Sequence, residues 1–182
     1  MVPAQQISGN NLPPLLFFFG LAGAGKTFCG NLISARLGYH CYDLDADCTA
    51  AMRAAIAEGR PFTDEMRDEF FTIVSDRIRH LKETYPKVLV MQAAYKERHR
   101  AFVASEHPGV ALVWVDAPDE LITQRLQARG NAVSAEYATM IRANFQPPSV
   151  GPRLLNDVAD PEEVLARFLE VFSASAASGG DF

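Results

Sequence analysis

Lysine is scarce in this sequence: four of 182 residues, at positions 26, 82, 87 and 96. The formal net charge is −5 and the isoelectric point lies near 5.3. Phosphate backbones are bound through basic patches, so this balance argues against nucleic acid as the main partner. Cysteine is sparse too. Cys29, Cys41 and Cys48 are odd in number and show no C-x-x-C spacing. Free thiols in a reducing compartment fit this better than a disulfide framework or a zinc site. Long apolar runs are missing, so no membrane span is expected. No basic residue precedes Lys26, so Leu12 to Phe19 lacks the positive flank of a secretion signal. What remains is an ordinary globular composition, read as soluble and cytoplasmic, at a length that suits one domain over residues 1–182.

One stretch stands out against that background. Leu15 to Phe19 is a run of large apolar residues ending at Gly20, and Gly20 to Thr27 reads G-x-x-x-x-G-K-T. An amphipathic segment, Phe28 to Leu37, follows. Buried strand, glycine loop and helix, in that order, form the context a phosphate-binding loop requires. Glycines let the backbone approach a phosphate closely, and the loop and helix N–H groups supply donors to anionic oxygens. The cofactor-binding set is Gly20, Gly23, Ala24, Gly25, Lys26, Thr27 and Phe28. Lys26 is expected on the β- and γ-phosphates and the Thr27 hydroxyl on Mg²⁺, with a nucleoside triphosphate such as ATP as ligand.

The rest of the chain alternates. Residues 1–13 read as a loose leader and 173–182 as a frayed tail. Further strands are expected over Tyr39–Leu44, Val88–Met91, Ala111–Val115 and Leu154–Asp157. Between them lie helical stretches: Cys48–Glu58, a long one capped by Thr63 and broken by Pro86, Lys96–Ser105, Pro118–Arg129, Ala135–Asn144, and a last one opened by Asp160. Phe70, Val74, Ile78 and Leu81 give the long helix one apolar face. Strands alternating with helices predict an α/β fold, a parallel five-stranded sheet covered on both faces, with ligands at the carboxyl ends of its strands.

That rule selects the candidate residues. Asp43 and Asp45 follow the second strand, and in extended chain their spacing puts both carboxylates on one side. One would hold the Mg²⁺ hydration shell and the other would take a proton from a substrate hydroxyl; the alternative is a solvated turn or helix cap. Asp116 ends the fourth strand, where it reads either as a metal-side acid or, preferred here, as a cap for the helix near Pro118. The third strand ends in Gln92 and Ala93 and supplies no acid. Arg125 and Arg129 lie four apart on one helical face and suit phosphate stabilisation. Arg67, Lys96, Arg98 and Arg100 are further cations near strand ends, each either a ligand group or surface charge.

With these residues placed, the chain from Leu15 to Phe172 resembles the P-loop small-molecule kinases, gluconate kinases first and shikimate kinases next. Besides GLAGAGKT, the similar segments are EGRPFTDEMRDEF (Glu58 to Phe70), AAYKERHR (Ala93 to Arg100), DELITQRLQARG (Asp119 to Gly130) and MIRANFQPP (Met140 to Pro148). The gluconate-kinase His-Phe-Met after the lid glycine is Asn131-Ala132-Val133 here, and the Ser of its Ser-Ala-Leu-Lys is Ala93. The resemblance implies a three-layer sandwich with a small helical lid near 130–145, Arg125 and Arg129 acting from the lid, and Asp45 as catalytic base facing the acceptor hydroxyl. It also implies transfer of the γ-phosphoryl group of ATP to a small carbohydrate, a sugar acid such as gluconate. Arg67 and Lys96 are then the expected partners of the acceptor's carboxylate. A shikimate-type, nucleoside or nucleotide kinase is the alternative, as is a nucleotide-binding protein without catalysis. The expected partner is a small molecule, with neither nucleic acid nor membrane, and the chain itself is expected as a monomer or homodimer.

Overall fold

The computed structural model describes residues 12–128, 135–149 and 151–177. Its strands are β1 (Leu15–Phe19), β2 (His40–Asp43), β3 (Val88–Met91), β4 (Ala111–Asp116) and β5 (Arg153–Leu155). Its helices are α1 (Lys26–Leu37), α2 (Ala50–Ala57), α3 (Asp64–Thr84), α4 (Glu97–Glu106), α5 (Asp119–Ala128), α6 (Ala135–Asn144) and α7 (Pro161–Ala177). The strands form one parallel sheet in the order β2-β3-β1-β4-β5. This is the expected α/β architecture, a parallel five-stranded sheet.

β1 lies at the centre, in register with Val88–Met91 on one side and Ala111–Trp114 on the other. All five of its residues are buried. Leu16 and Phe18 join a core with Ile33 of α1 and Phe168 of α7, whereas Leu15, Phe17 and Phe19 join one with Phe70, Val74 and Ile78 of α3. A strand buried on both faces must be apolar without alternation, and this explains the uninterrupted run. It also places the carboxyl end of β1 between those of β3 and β4.

Several boundaries differ from expectation. Leu12 is buried, the Tyr39 hydroxyl donates to the Pro13 carbonyl at 2.7 Å, and the Val88 N–H donates to the Pro14 carbonyl at 2.8 Å. Residues 12 and 13 therefore belong to the folded body rather than to a leader. β2 stops at Asp43 because the Asp43 side chain accepts the Asp45 N–H at 3.1 Å and turns the chain into a 3-10 turn over Leu44–Asp47. Thr49, not Cys48, opens α2, its side chain accepting from the Met52 N–H at 3.2 Å. The cap at Thr63 is present as expected. α7 continues through Ala177, so the first residues of the presumed tail are helical.

Candidate active site

The loop between β1 and α1 depends on glycine at two positions for reasons visible in its surroundings. Gly20 has φ of +146°, and a Cβ there would lie 2.1 Å from the Val115 carbonyl oxygen. Gly25 has φ of +96°, and its Cβ would lie 2.0 Å from Nδ2 of Asn156. Neither backbone conformation nor space admits a side chain. The Lys26 ammonium curls back to donate to the carbonyls of Gly20 and Leu21 at 3.0 and 3.1 Å. The first turn of α1 carries no acidic side chain, leaving its positive dipole end open to an anion. Thr27 and Phe28 are exposed on that turn. Backbone, lysine and helix terminus together fit a polyphosphate.

A brace from the far end of the chain supports the loop. Asn156, just after β5 and 1% exposed, donates from Nδ2 to the Ala24 carbonyl at 2.8 Å and from its backbone N–H to the Asp116 carbonyl at 2.7 Å. Its Oδ1 is buried with no hydrogen-bond partner. Arg125 of α5 joins the brace, donating to the carbonyls of Gly23, Ala24 and Asn156 at 3.4, 3.3 and 3.1 Å. The expected lid-side arginine thus sits against the phosphate loop. Its expected companion Arg129, and residues 130–134 of the expected lid, lie outside the described residues.

The acids after β2 are close to one another for a different reason than strand alternation. Asp45 lies in the 3-10 turn, and the Asp43 carboxylate reaches it through the main-chain bond already described. Burial pushes the Asp43 carboxyl above its ordinary value, aided by the charge of Asp45; the Asp45 N–H and Lys26 oppose the rise. Asp45 is exposed, and Nε2 of Gln92 donates to its Oδ1 at 2.9 Å. Asp116 does not cap α5. Its carboxylate is engaged by Arg153 at 2.5 Å, and Arg153 in turn stacks 4.6 Å from the Trp114 ring.

Beside Ala22 of the loop lies a cavity of roughly 100 Å³, walled by Arg67, Phe71, Gln92, Tyr95, His99 and Ile141 among others. Arg67 is 9% exposed, its guanidinium 4.4 Å over the Tyr95 ring and 5.3 Å over Phe62. It donates to the Phe62 carbonyl at 3.4 Å and has no carboxylate partner among the described residues. The other cations suggested by the sequence are differently placed. Lys96 pairs with Asp64 at 2.5 Å, and Arg98 with Asp68 at 2.8 Å and with Asp64 at 3.5 Å. Arg100 is 1% exposed and structural: it donates to the carbonyls of Ala94 and Gln146 and lies 4.8 Å over Phe19.

His99 stacks on Phe71 at 4.4 Å, and its Nε2 meets Asp68 Oδ1 at 2.9 Å. Asp68 lies below its ordinary value, chiefly through that bond, and is ionised. Nε2 of His99 therefore stands between two claims: it donates to the Asp68 carboxylate when it carries the proton, and it accepts from the Arg98 Nε–H, 3.3 Å away, when Nδ1 carries it. Burial lowers the imidazole pKa, with Asp68 opposing. Gln92, His99 and Asn156 were not singled out by sequence reasoning. Gln92 was visible as the end of β3 but set aside because it is not an acid.

A central phosphate loop, a paired acid turn and an arginine-walled cavity define a P-loop phosphotransferase. Comparison with known proteins then narrows the class. The family model of shikimate kinase matches residues 22–145, and the chain belongs to the shikimate kinase family. Kinases of this kind use ATP to phosphorylate hydroxyl groups. A gluconokinase of Gluconobacter oxydans is 24% identical over 165 residues, covering 89% of this chain and 93% of that protein. A shikimate kinase of Thermosynechococcus vestitus is 27% identical over 128 residues, 68% of this chain and 63% of that one. Among solved structures, a gluconokinase from Sinorhizobium meliloti superimposes with a TM-score of 0.77 at 22% identity, covering 91% of this chain and 95% of that one.

Proposed function

We propose that the protein transfers the γ-phosphoryl group of ATP to a hydroxyl of a small sugar acid, gluconate being the first choice. The observation that carries this reading is Arg67, a buried guanidinium with no carboxylate partner among the described residues, in the wall of a cavity that touches the phosphate loop. Asp64 acts on Arg67 only from beyond ion-pair distance and is already paired with Lys96 and Arg98, so the buried guanidinium lacks a direct carboxylate partner, which an acceptor would supply. The similarity to gluconokinases along most of the chain supports a sugar acid.

In this reading the loop amides, Lys26 and Arg125 bind and orient the phosphates, with Arg129 acting from the lid. Asp45 takes the proton of the acceptor hydroxyl. Lys96, already paired with Asp64 beside the cavity, is the weaker of the two expected carboxylate ligands. Thr27 and Asp43 would hold Mg²⁺, which neutralises charge on the transferring group when bound. Among the described residues no group of three or more His, Cys, Asp or Glu side chains gathers as a metal site. The three cysteines are free, and no helix among the described residues is long and apolar enough to cross a membrane. We place the enzyme in the cytoplasm, as a monomer or homodimer.

A second reading, a compact cyclic acid of the shikimate type, is favoured by the aromatic walls Phe62, Phe71 and Tyr95. Measuring ADP release with MgATP and a panel of gluconate, shikimate and nucleosides separates the two. Gluconate is expected to stimulate release most. Stimulation by shikimate alone selects the second reading, and stimulation by nucleosides alone refutes both.

A further inference from the structure

β3 runs directly into Gln92, a buried amide on the cavity wall. Its two ends are not interchangeable. The Ala93 N–H donates to Oε1 at 2.5 Å, so the oxygen must face Ala93 and the nitrogen must face Asp45. A flipped amide would set donor against donor and oxygen against carboxylate. The orientation is therefore fixed by its neighbours.

The consequence falls on Asp45. Oδ1 accepts the Gln92 bond, the backbone N–H donates to Asp43, and the backbone carbonyl accepts from the Cys48 N–H at 3.3 Å. Oδ2 is the one hydrogen-bonding atom of Asp45 with no partner among the described residues. A carboxylate rotates easily about its last bond, since that torsion is broad and roughly two-fold. The 2.9 Å bond to one oxygen restrains that rotation in the exposed side chain.

We propose that Gln92 is a positioning residue for phosphoryl transfer, holding Asp45 so that Oδ2 faces the acceptor hydroxyl. The inference rests on the reading of Asp45 as the base. In the step it serves, the acceptor O–H bond breaks and its proton passes to Oδ2. The acceptor oxygen bonds to the γ-phosphorus of ATP, the bond from that phosphorus to the β–γ bridging oxygen breaks, and the electron pair leaves on ADP. Gln92 touches none of the reacting atoms and acts only through the angle at which Asp45 is held.

Two measurements test it. In the ¹⁵N-correlated NMR spectrum of the full chain, the Gln92 side-chain amide, assigned through Gln92→Met, is expected to shift on Asp45→Asn. An amide that does not move overturns the proposal, whatever the acceptor. In kinetics with MgATP and gluconate as the probe, Gln92→Met keeps the side-chain volume but removes donor and acceptor. kcat is expected to fall about 10–100-fold with both KM values within about threefold. In the Asp45→Asn background the same change is expected to cost less than about threefold, because the group it positions is already gone. Losses that multiply in the double variant, or an unchanged kcat in Gln92→Met, overturn the role. An Asp45→Asn variant with full activity overturns instead the reading of Asp45 as base.

Discussion

Replacing Asn156 with alanine separates the support of the phosphate loop from the stability of the fold. The substitution removes the 2.8 Å bond from Nδ2 to Ala24, worth about 0.5–1.5 kcal/mol net. The Ala24 carbonyl is not orphaned, since Arg125 still donates to it at 3.3 Å. A void the size of a carboxamide adds on the order of 1 kcal/mol. Against these, the buried and unpartnered Oδ1 disappears, relieving about 1–3 kcal/mol. The contributions nearly cancel, so global stability is expected to change by no more than about 1 kcal/mol, a shift in Tm of about 2–4 °C. The loop, however, loses a fixed point beside Gly25. Affinity for a non-hydrolysable ATP analogue is expected to fall about tenfold, the equivalent of about 1.4 kcal/mol. Calorimetric titration and thermal melts of the same preparations measure both quantities. A Tm drop beyond about 8 °C with unchanged nucleotide affinity would show Asn156 to be a core residue and refute the brace.

Other perturbations have equally definite outcomes. Lys26→Ala is expected to abolish turnover, and retained activity in the ADP-release assay would remove the phosphate role of the loop. Asp45→Asn is expected to lower kcat by about 10²–10⁴, and a loss under tenfold would demote it from base. Arg67→Met is expected to raise the acceptor KM by about 10–100-fold, the worth of a bond between charged groups, with the ATP KM unchanged. Arg100→Leu leaves the Ala94 and Gln146 carbonyls without its donors and is expected to cost about 2–4 kcal/mol in denaturant unfolding. Burial lowers both His99 and His107 below the ordinary histidine value of 6.5. The unfolded chain therefore takes up those protons first, and their contribution to stability shrinks as pH falls below about 6.5 until the folded imidazoles also titrate. Asp43, raised by burial, acts in the opposite sense at lower pH. His107→Gln should flatten the fall in Tm between pH 7 and 5.5, and an unchanged slope would refute the assignment.

The elements that a local pattern encodes were legible in the chain. The glycine loop, the buried β1, the Thr63 cap and the apolar face of α3 each depend on residues within a few positions of one another. The acid turn was half legible: its two aspartates stand out in the sequence, but alternation was the wrong reason for their closeness, since a side chain closing onto its own backbone ends the strand early. The cations show where reading fails. Arg67, Lys96, Arg98 and Arg100 looked alike in sequence, yet one is buried structure and two are neutralised by Asp64 and Asp68. Only packing distinguishes them. The roles of Gln92 and Asn156 were illegible, even with Gln92 visible at a strand end, because an amide has no motif of its own. Each matters through a partner distant along the chain, 47 residues away for Asp45 and 132 for Ala24.

The contact between Gly25 and Asn156 makes two positions behave as one. The amide occupies the hollow that a missing methyl group leaves, so neither can drift alone: any side chain at 25 evicts the amide, and a larger group at 156 pushes the loop out of shape. Compensating changes would have to arise together. A motif search that scores the glycine while ignoring a strand end far downstream records half of a lock. Redesign of the nucleotide pocket in this scaffold should therefore begin by varying the two as a pair.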